Sequence, residues 1–220
     1  MIARACRGLI AVAALLLVPA APVRADTYTL DPEHTEVRFS WNHLGMSRQS
    51  GRILDVKGTV EFEPAEPEAS SVEVVMKLSS LTTSVPALDK HLLKTKDFFD
   101  IGSFPTITFR STAVKKTGGK TALVSGDLTI NGISRPVVLE TTWNFSGEHP
   151  MAKINPAYSE VYASGFSART QIFRSDFGIT RTIPFVSDEI QITIETEMHR
   201  TAQPAAESAA TALPAPEPYR

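Results

Sequence analysis

The segment His34–Leu44, which reads HTEVRFSWNHL, alternates regularly between apolar and polar side chains. Val37, Phe39 and Trp41 share one face of an extended chain, and the polar residues between them share the other face. Such period-two alternation is typical of a β-strand with one face in an apolar interior and one face in water. The segment therefore predicts a strand of an antiparallel sheet.

The same alternation recurs along the chain, and turn signals separate its occurrences. Residues 72–78 and 190–198 alternate in the same way. Asn131–Gly132 is a strong hairpin signal, Gly118–Gly119 separates another pair of strands, and residues 63–70 form a proline-rich loop. We count about eight antiparallel strands with one apolar face each, which must either pack as two sheets or close into a barrel.

A short helix is predicted near residues 86–97, where Leu88, His91 and Leu92 have helical spacing. The sequence DFFD, with Phe98 and Phe99, follows it. Because the apolar stripe of this helix is short, we expect it at one end of the β-structure. There it would either close an apolar cavity or fill the core.

Residues 1–25 are predicted to be a secretory signal peptide. Arg4 and Arg7 precede the apolar run LIAVAALLLVPAAP, which is too short for a membrane span, and an uncleaved anchor is the alternative. Cleavage after Ala25 would remove Cys6 together with three basic and no acidic residues, so the net charge of −2 would become −5. We therefore expect a periplasmic protein without disulfides, with one β-domain over residues 26–200.

The last segment, residues 201–220, is rich in alanine and proline. It has too few large apolar side chains to offset the entropy of ordering, so we predict a disordered tail, the alternative being an extension packed on the domain. Lysine and arginine are dispersed along the chain, which argues against nucleic-acid binding.

His43 is the first polar candidate for a binding role. It continues the face of Phe39 and Trp41, so alternation points its ring into the apolar interior. A buried imidazole needs either a hydrogen-bond partner or a ligand. We expect a neutral, largely buried ring that is held by the DFFD segment or by the RSDFG segment.

That second segment, Arg174–Thr180, reads RSDFGIT. Arg174 and Asp176 are predicted to pair across a tight turn in which Gly178 supplies unusual backbone angles. The pair would be structural, or Arg174 would meet the polar end of a ligand.

The sequence offers little catalytic chemistry. Its five histidines are scattered without a close pair of ligands, so we predict no metal site. No G-x-S-x-G motif occurs, and no cysteine would survive cleavage of the signal peptide. An enzyme that acts on a bound lipid, with His43 or His91 as the base, is the less favoured alternative.

Four segments together resemble the YceI-like family of polyisoprenoid-binding proteins: DPEHTEVRFSWNHLGMSRQSGRI, HLLKTKDFFDIGSFPTITFRS, VSGDLTINGISRPV and FRSDFGI…VSDEIQITIE. The resemblance runs from about residue 26 to about residue 198. It implies an all-β fold with one short helix, an exported, lipocalin-like eight-stranded antiparallel barrel whose elongated interior holds an isoprenoid or another long-chain amphiphile. The family's motif residues fall on His43, His91–Asp100 and Arg174–Gly178.

The chain contains many large aromatic residues, which would suit such an interior because apolar side chains line most ligand pockets. Phe104 and Phe173 are among these aromatic residues. The ligand contacts that we predict are Phe39, Trp41, His43, His91, Phe98, Phe99, Phe109, Phe166, Arg174, Asp176 and Phe177. No cofactor is expected to be required, although the ligand itself would be an isoprenoid lipid or a quinone.

Three functions follow as hypotheses. The first is a non-enzymatic carrier or sequestering protein for a polyprenyl or quinone-type lipid, which makes transient contact with a membrane or a membrane protein and forms a homodimer if it associates at all. The second is the lipid-modifying enzyme. The third is a stress-response barrel that is packed solid and binds no ligand.

Overall fold

Ten β-strands make up most of residues 25–201, the part of the chain that the computed structural model describes. The predicted signal peptide and the predicted tail lie outside these residues, except for Ala25 and Thr201 at their borders. Within the described residues, no helix has the length and apolar character needed to cross a membrane. The strands are β1 Asp26–His43, β2 Ser47–Ile53, β3 Val56–Phe62, β4 Ser71–Lys77, β5 Leu81–Thr82, β6 Thr106–Lys116, β7 Thr121–Ile130, β8 Ile133–Glu148, β9 Val161–Phe173 and β10 Glu189–Thr201.

One α-helix, α1 Pro86–Lys94, lies between β5 and β6. Short 3₁₀ helices occupy Pro67–Ala69, Leu78–Ser80, Pro156–Tyr158 and Arg174–Phe177. The helix begins with proline at its first turn, where the missing N–H costs nothing. It ends three residues before the predicted boundary at 97, because Thr95 already has an extended backbone.

The strands close into a ring because β1 pairs with β10 at one edge and with β2 and β3 at the other. All neighbouring strands are antiparallel. The ring has eight positions, since β2 and β3 share one position and β4 and β5 share the next. The predicted eight-stranded antiparallel barrel is therefore confirmed.

Ser80 connects the two places where a position of the ring is split between two strands. Its hydroxyl oxygen accepts hydrogen bonds from the backbone N–H groups of Leu54 at 3.2 Å and Asp55 at 2.8 Å, and its hydroxyl donates to the carbonyl of Lys77 at 2.7 Å. Leu54 and Asp55 separate β2 from β3, and Ser80 itself lies between β4 and β5. Backbone groups that leave the sheet at both breaks thus keep a partner.

The predicted hairpin at Asn131–Gly132 is present between β7 and β8. Both residues have positive φ, 51° for Asn131 and 73° for Gly132, as a two-residue turn of type I′ requires.

Two glycines of the barrel wall lie under aromatic rings. A Cβ atom on Gly51 would lie 2.5 Å from Cζ of Phe39, and a Cβ atom on Gly126 would lie 2.5 Å from Cζ of Phe109. Each ring therefore occupies the space that a side chain of the paired strand would otherwise fill. The rings lie close to the wall, and the axis of the barrel is left open.

Candidate ligand-binding site

A cavity of about 700 Å³ runs through the barrel. Its volume falls within the range of small-molecule sites, about 300–1,000 Å³. Alternate residues of β10 from Ile190 to Met198 all line it. At about 3.4 Å per residue this run measures about 27 Å, so the cavity is elongated along the strands.

Apolar side chains form most of the lining. Aliphatic residues come from the inward faces of the strands, such as Val72, Val74 and Met76 from β4. Several aromatic rings join them, and Phe62 contacts two of them edge to face, with centroid distances of 5.4 Å to Trp143 and 5.2 Å to Phe166. The aromatic lining residues are Phe39, Trp41, Phe62, Phe98, Phe99, Phe109, Trp143, Phe166 and Phe177.

Helix α1 and the DFFD segment cover one end of the cavity. Leu88, His91 and Leu92 of the helix line the cavity together with Phe98 and Phe99. The amide of Phe99 donates to the carbonyl of Leu92 at 3.0 Å, which folds the segment back against the helix. The helix thus closes a cavity, as predicted, instead of filling the core.

His43 lies at this same end, where its backbone pairs with Val186. Its side chain is half-buried on the cavity face, so the predicted orientation is right. The predicted partner is wrong, since within the described residues its ring forms no hydrogen bond. His91 is exposed, packs edge to face on Phe98 at 5.1 Å, and has its Nδ1 3.3 Å from the hydroxyl of Thr95.

The opposite end of the cavity has a different character. Lys116 and Lys120 line it beside Gly118 and Gly119 of the β6–β7 turn and Thr121 at the start of β7. In the described part of the chain no carboxylate lines the cavity. The interior therefore offers a long apolar surface, with His43 and Arg174 at one end and Lys116 and Lys120 at the other.

A family model described as the YceI-like domain matches residues 28–198. The chain belongs to the YceI-like family.

One relative in sequence and two solved structures are similar to this chain. A UPF0312 protein of Pseudomonas savastanoi pv. phaseolicola (strain 1448A / Race 6) is 40% identical over 165 residues, which are 74% of this chain and 81% of the relative. Among solved structures, Burkholderia cenocepacia BcnA has a TM-score of 0.66 at 23% identity and covers 76% of this chain and 98% of its own. A polyisoprenoid binding domain from Saccharophagus degradans has a TM-score of 0.54 at 12% identity, with coverages of 80% and 98%, so both likenesses concern the fold.

Arg174 of this YceI-like domain is buried beside the cavity, but its predicted pairing with Asp176 is wrong. Its guanidinium donates to three backbone carbonyls, those of Ile179 and Ser187 at 2.9 Å and that of Val186 at 3.0 Å. Burial lowers the pKa of Arg174, and the charge of Asp188 opposes this effect. The arginine therefore holds the chain between β9 and β10 in place, at the cavity end that contains His43.

Asp176 is exposed and does not line the cavity, so it is a poor candidate for ligand contact. Its neighbour Phe177 is fully buried and does line the cavity. Gly178 has φ of 77°, as the tight turn was predicted to need. The 3₁₀ turn Arg174–Phe177 points its first and fourth side chains inward and leaves Asp176 outside.

Phe104 and Phe173 are also outside the cavity, with 39% and 47% of their surface exposed. Conversely, Phe62, Trp143, Lys116 and Lys120 line the cavity although they were not among the predicted ligand contacts. Phe62 and Trp143 alternate within their strands, so periodicity contained the signal. Lys116 and Lys120 gave no such signal, because charged residues beside a turn are normally solvent-exposed, and these two are exposed as well although they line this end of the cavity.

Proposed function

We propose that this YceI-like protein carries or sequesters an isoprenoid lipid, of the polyprenyl or quinone type, inside its barrel. The elongated apolar cavity is the observation that carries the proposal. Each buried methylene contributes about 0.8 kcal/mol, so ten buried carbons supply about 8 kcal/mol without any directional contact. The structural neighbour from Saccharophagus degradans is a polyisoprenoid binding domain, which supports the same ligand class.

The cavity chemistry favours binding over catalysis. Carboxylates are absent from the described lining, and within residues 25–201 the ring of His43 forms no hydrogen bond to a serine, threonine or any other side chain that could serve as a nucleophile. The ligand is thus proposed to be bound unchanged, with no further cofactor. The proposal includes export to the periplasm after removal of residues 1–25, which an intact-mass measurement on the periplasmic fraction would check through a chain that begins at Asp26.

Filling the cavity should abolish lipid binding without unfolding the barrel. Ala168 of β9 lines the cavity, so Ala168→Trp places an indole where the ligand would lie. We expect the wild-type chain to yield an isoprenoid lipid on organic extraction and mass spectrometry, and to bind a quinone probe in titration. The Ala168→Trp variant should yield none.

The matched control is Ala113→Trp, since Ala113 is exposed on β6 and does not line the cavity. This variant should retain the lipid. A wild-type chain that is empty on extraction and binds neither a quinone nor a polyprenol would refute the carrier function. Equal binding by the Ala168→Trp variant would place the ligand elsewhere.

His43 is proposed to contact the head group of a quinone-type ligand. It is half-buried, faces the cavity and has no hydrogen-bond partner in the described protein. One hydrogen bond contributes about 1 kcal/mol, so His43→Ala should weaken quinone binding about fivefold to tenfold. Affinity for a hydrocarbon of similar length without a head group should not change.

Paired titrations of the two probes distinguish the roles. Equal losses for quinone and hydrocarbon would mean that His43 only packs against the chain. Loss of quinone affinity on Lys116→Ala, with none on His43→Ala, would reverse the orientation of the ligand.

A further inference from the structure

Three of the five histidines meet on the outside of the barrel, where β1 pairs with β10. Between Leu30 and Thr35, β1 advances five residues while β10 advances two, from Met198 to Thr196. The excess forms a large bulge, a feature that is common beside functional sites. It places Asp31 and His34 over the outward-facing residues of β10.

Asp31 is firmly oriented within this bulge. Its Oδ1 accepts a hydrogen bond from the amide of Glu33 at 2.9 Å, and its Oδ2 accepts one from Nδ1 of His34 at 2.7 Å. These two hydrogen bonds hold the carboxylate in place and leave one lone pair of Oδ2 free.

His199 of β10 faces this carboxylate but does not bond to it. Its Nδ1 lies 3.9 Å from Oδ2 of Asp31, which is too long for a hydrogen bond. Its Nε2 is buried and has no hydrogen-bond partner in the described protein. The His199 side chain is only 25% exposed, and a part-buried imidazole with no hydrogen bond at either nitrogen among the described residues requires an explanation.

Glu197, two residues earlier on the same face of β10, supplies a second carboxylate. One donor atom from each of Asp31, Glu197 and His199 can be chosen so that all three lie within 4.8 Å of one another. Ligands of tetrahedral zinc, at about 2.0–2.1 Å from the metal, are about 3.4 Å apart. The exposed side chain of Glu197 can approach by rotation, and the 3.9 Å between Nδ1 of His199 and Oδ2 of Asp31 must shorten by about 0.5 Å when an ion binds.

We infer that Asp31, Glu197 and His199 bind a divalent transition-metal ion of the zinc class. Two carboxylates balance the charge of the ion, and the imidazole favours zinc, copper or nickel over magnesium and calcium. His34 orients Asp31 from behind, as outer hydrogen-bond partners of metal ligands do. His149 is not a ligand, because its Nδ1 accepts the amide of Met151 at 3.1 Å and its Nε2 then carries the proton.

This site is separate from the cavity and from the proposed lipid. Met198, between the two β10 ligands in sequence, faces the interior and is fully buried, whereas Glu197 and His199 face outward. A bound ion would link the first strand to the last strand. It should therefore raise the melting temperature of the barrel whether or not lipid is present.

The test uses the full chain without a histidine tag, stripped of metal by a chelator. Calorimetric titration with Zn²⁺ should show one ion per chain, and the electron paramagnetic resonance spectrum of the Cu²⁺ form should show one coordinated imidazole. Mutation of a residue that hydrogen-bonds to a metal ligand typically lowers metal affinity about 10- to 100-fold. Loss of a ligand itself, in His199→Gln or Asp31→Asn, should therefore lower Zn²⁺ affinity about 100-fold or more. Mg²⁺ should neither bind nor shift the melting temperature.

Glu197→Gln and Glu195→Gln form a matched pair, because both residues are exposed on the same face of β10. We expect a loss of Zn²⁺ affinity of about 100-fold or more for the first, as for the other two ligands, and no loss for the second. Equal affinities in this pair would overturn the inference even if His199→Gln or Asp31→Asn failed to fold. Absence of Zn²⁺ binding by the wild-type chain, or equal binding of Mg²⁺, would overturn it as well.

Discussion

Replacing Arg174 with methionine should lower the free energy of unfolding by about 3–5 kcal/mol. Arginine and methionine have similar apolar stems, but methionine cannot donate to the carbonyls of Ile179, Val186 and Ser187. Hydrogen bonds to charged groups contribute about 1.5–3 kcal/mol each, and the carbonyls would be left without a partner in a site that is largely closed to water. Urea denaturation, with the midpoint and slope fitted together, measures the change.

Arg169→Met is the control for this substitution. Arg169 is largely exposed, and its ion pair with Glu140 at 2.8 Å is solvated. Such pairs contribute about 1 kcal/mol or less, so the control should be nearly neutral. A loss of similar size in both variants would mean that the buried hydrogen bonds of Arg174 add nothing specific.

Leu78→Ala should destabilise the barrel by about 2–5 kcal/mol, the usual cost of truncating a buried leucine. Leu78 has no exposed surface, and its amide donates to the carbonyl of Pro105 at 3.0 Å. It belongs to the core but does not line the cavity. Lipid affinity measured well below the melting temperature should therefore remain at the wild-type value.

Leu54→Ala provides the comparison, because it is the same substitution at a side chain with 51% of its surface exposed. We expect it to change stability by about 0.5 kcal/mol at most. If Leu78→Ala were equally mild, the packing of the core behind the cavity wall would be looser than the structure shows.

The strands and their inward faces could be predicted from the sequence because each side chain alternates in a fixed way across a sheet. Val37, Phe39, Trp41 and His43 all face the cavity for this reason. The hairpin at Asn131–Gly132 was predictable because its turn type demands positive φ at both residues. The splitting of two barrel positions into two short strands each could not be predicted, since it involves hydrogen bonds between Ser80 and the distant residues Leu54 and Asp55.

The contacts of the candidate site were harder to predict from sequence patterns. The partners of Arg174 are backbone carbonyls, which every residue has and which leave no mark in the sequence. Asp176 is two residues away and has the opposite charge, so proximity in sequence favoured the wrong pair. Asp31 and His199 come together only through closure of the barrel, and their separation along the chain hid the cluster.

Pairing between β1 and β10 also determines the stage of folding at which the cavity becomes enclosed. The hydroxyls of Thr35 and Thr196, 161 residues apart, meet at 2.8 Å across this junction. Contacts of such high sequence separation form late, because most of the chain entropy must be lost before they are made. Until β10 pairs with β1 and β9, the sheet is open, its apolar face is in contact with water and both of its edge strands are unpaired. Exposed apolar surface and unpaired edge strands both promote aggregation. A fragment that ends before β10 would therefore lack a shielded interior and would expose the apolar faces of its strands to water.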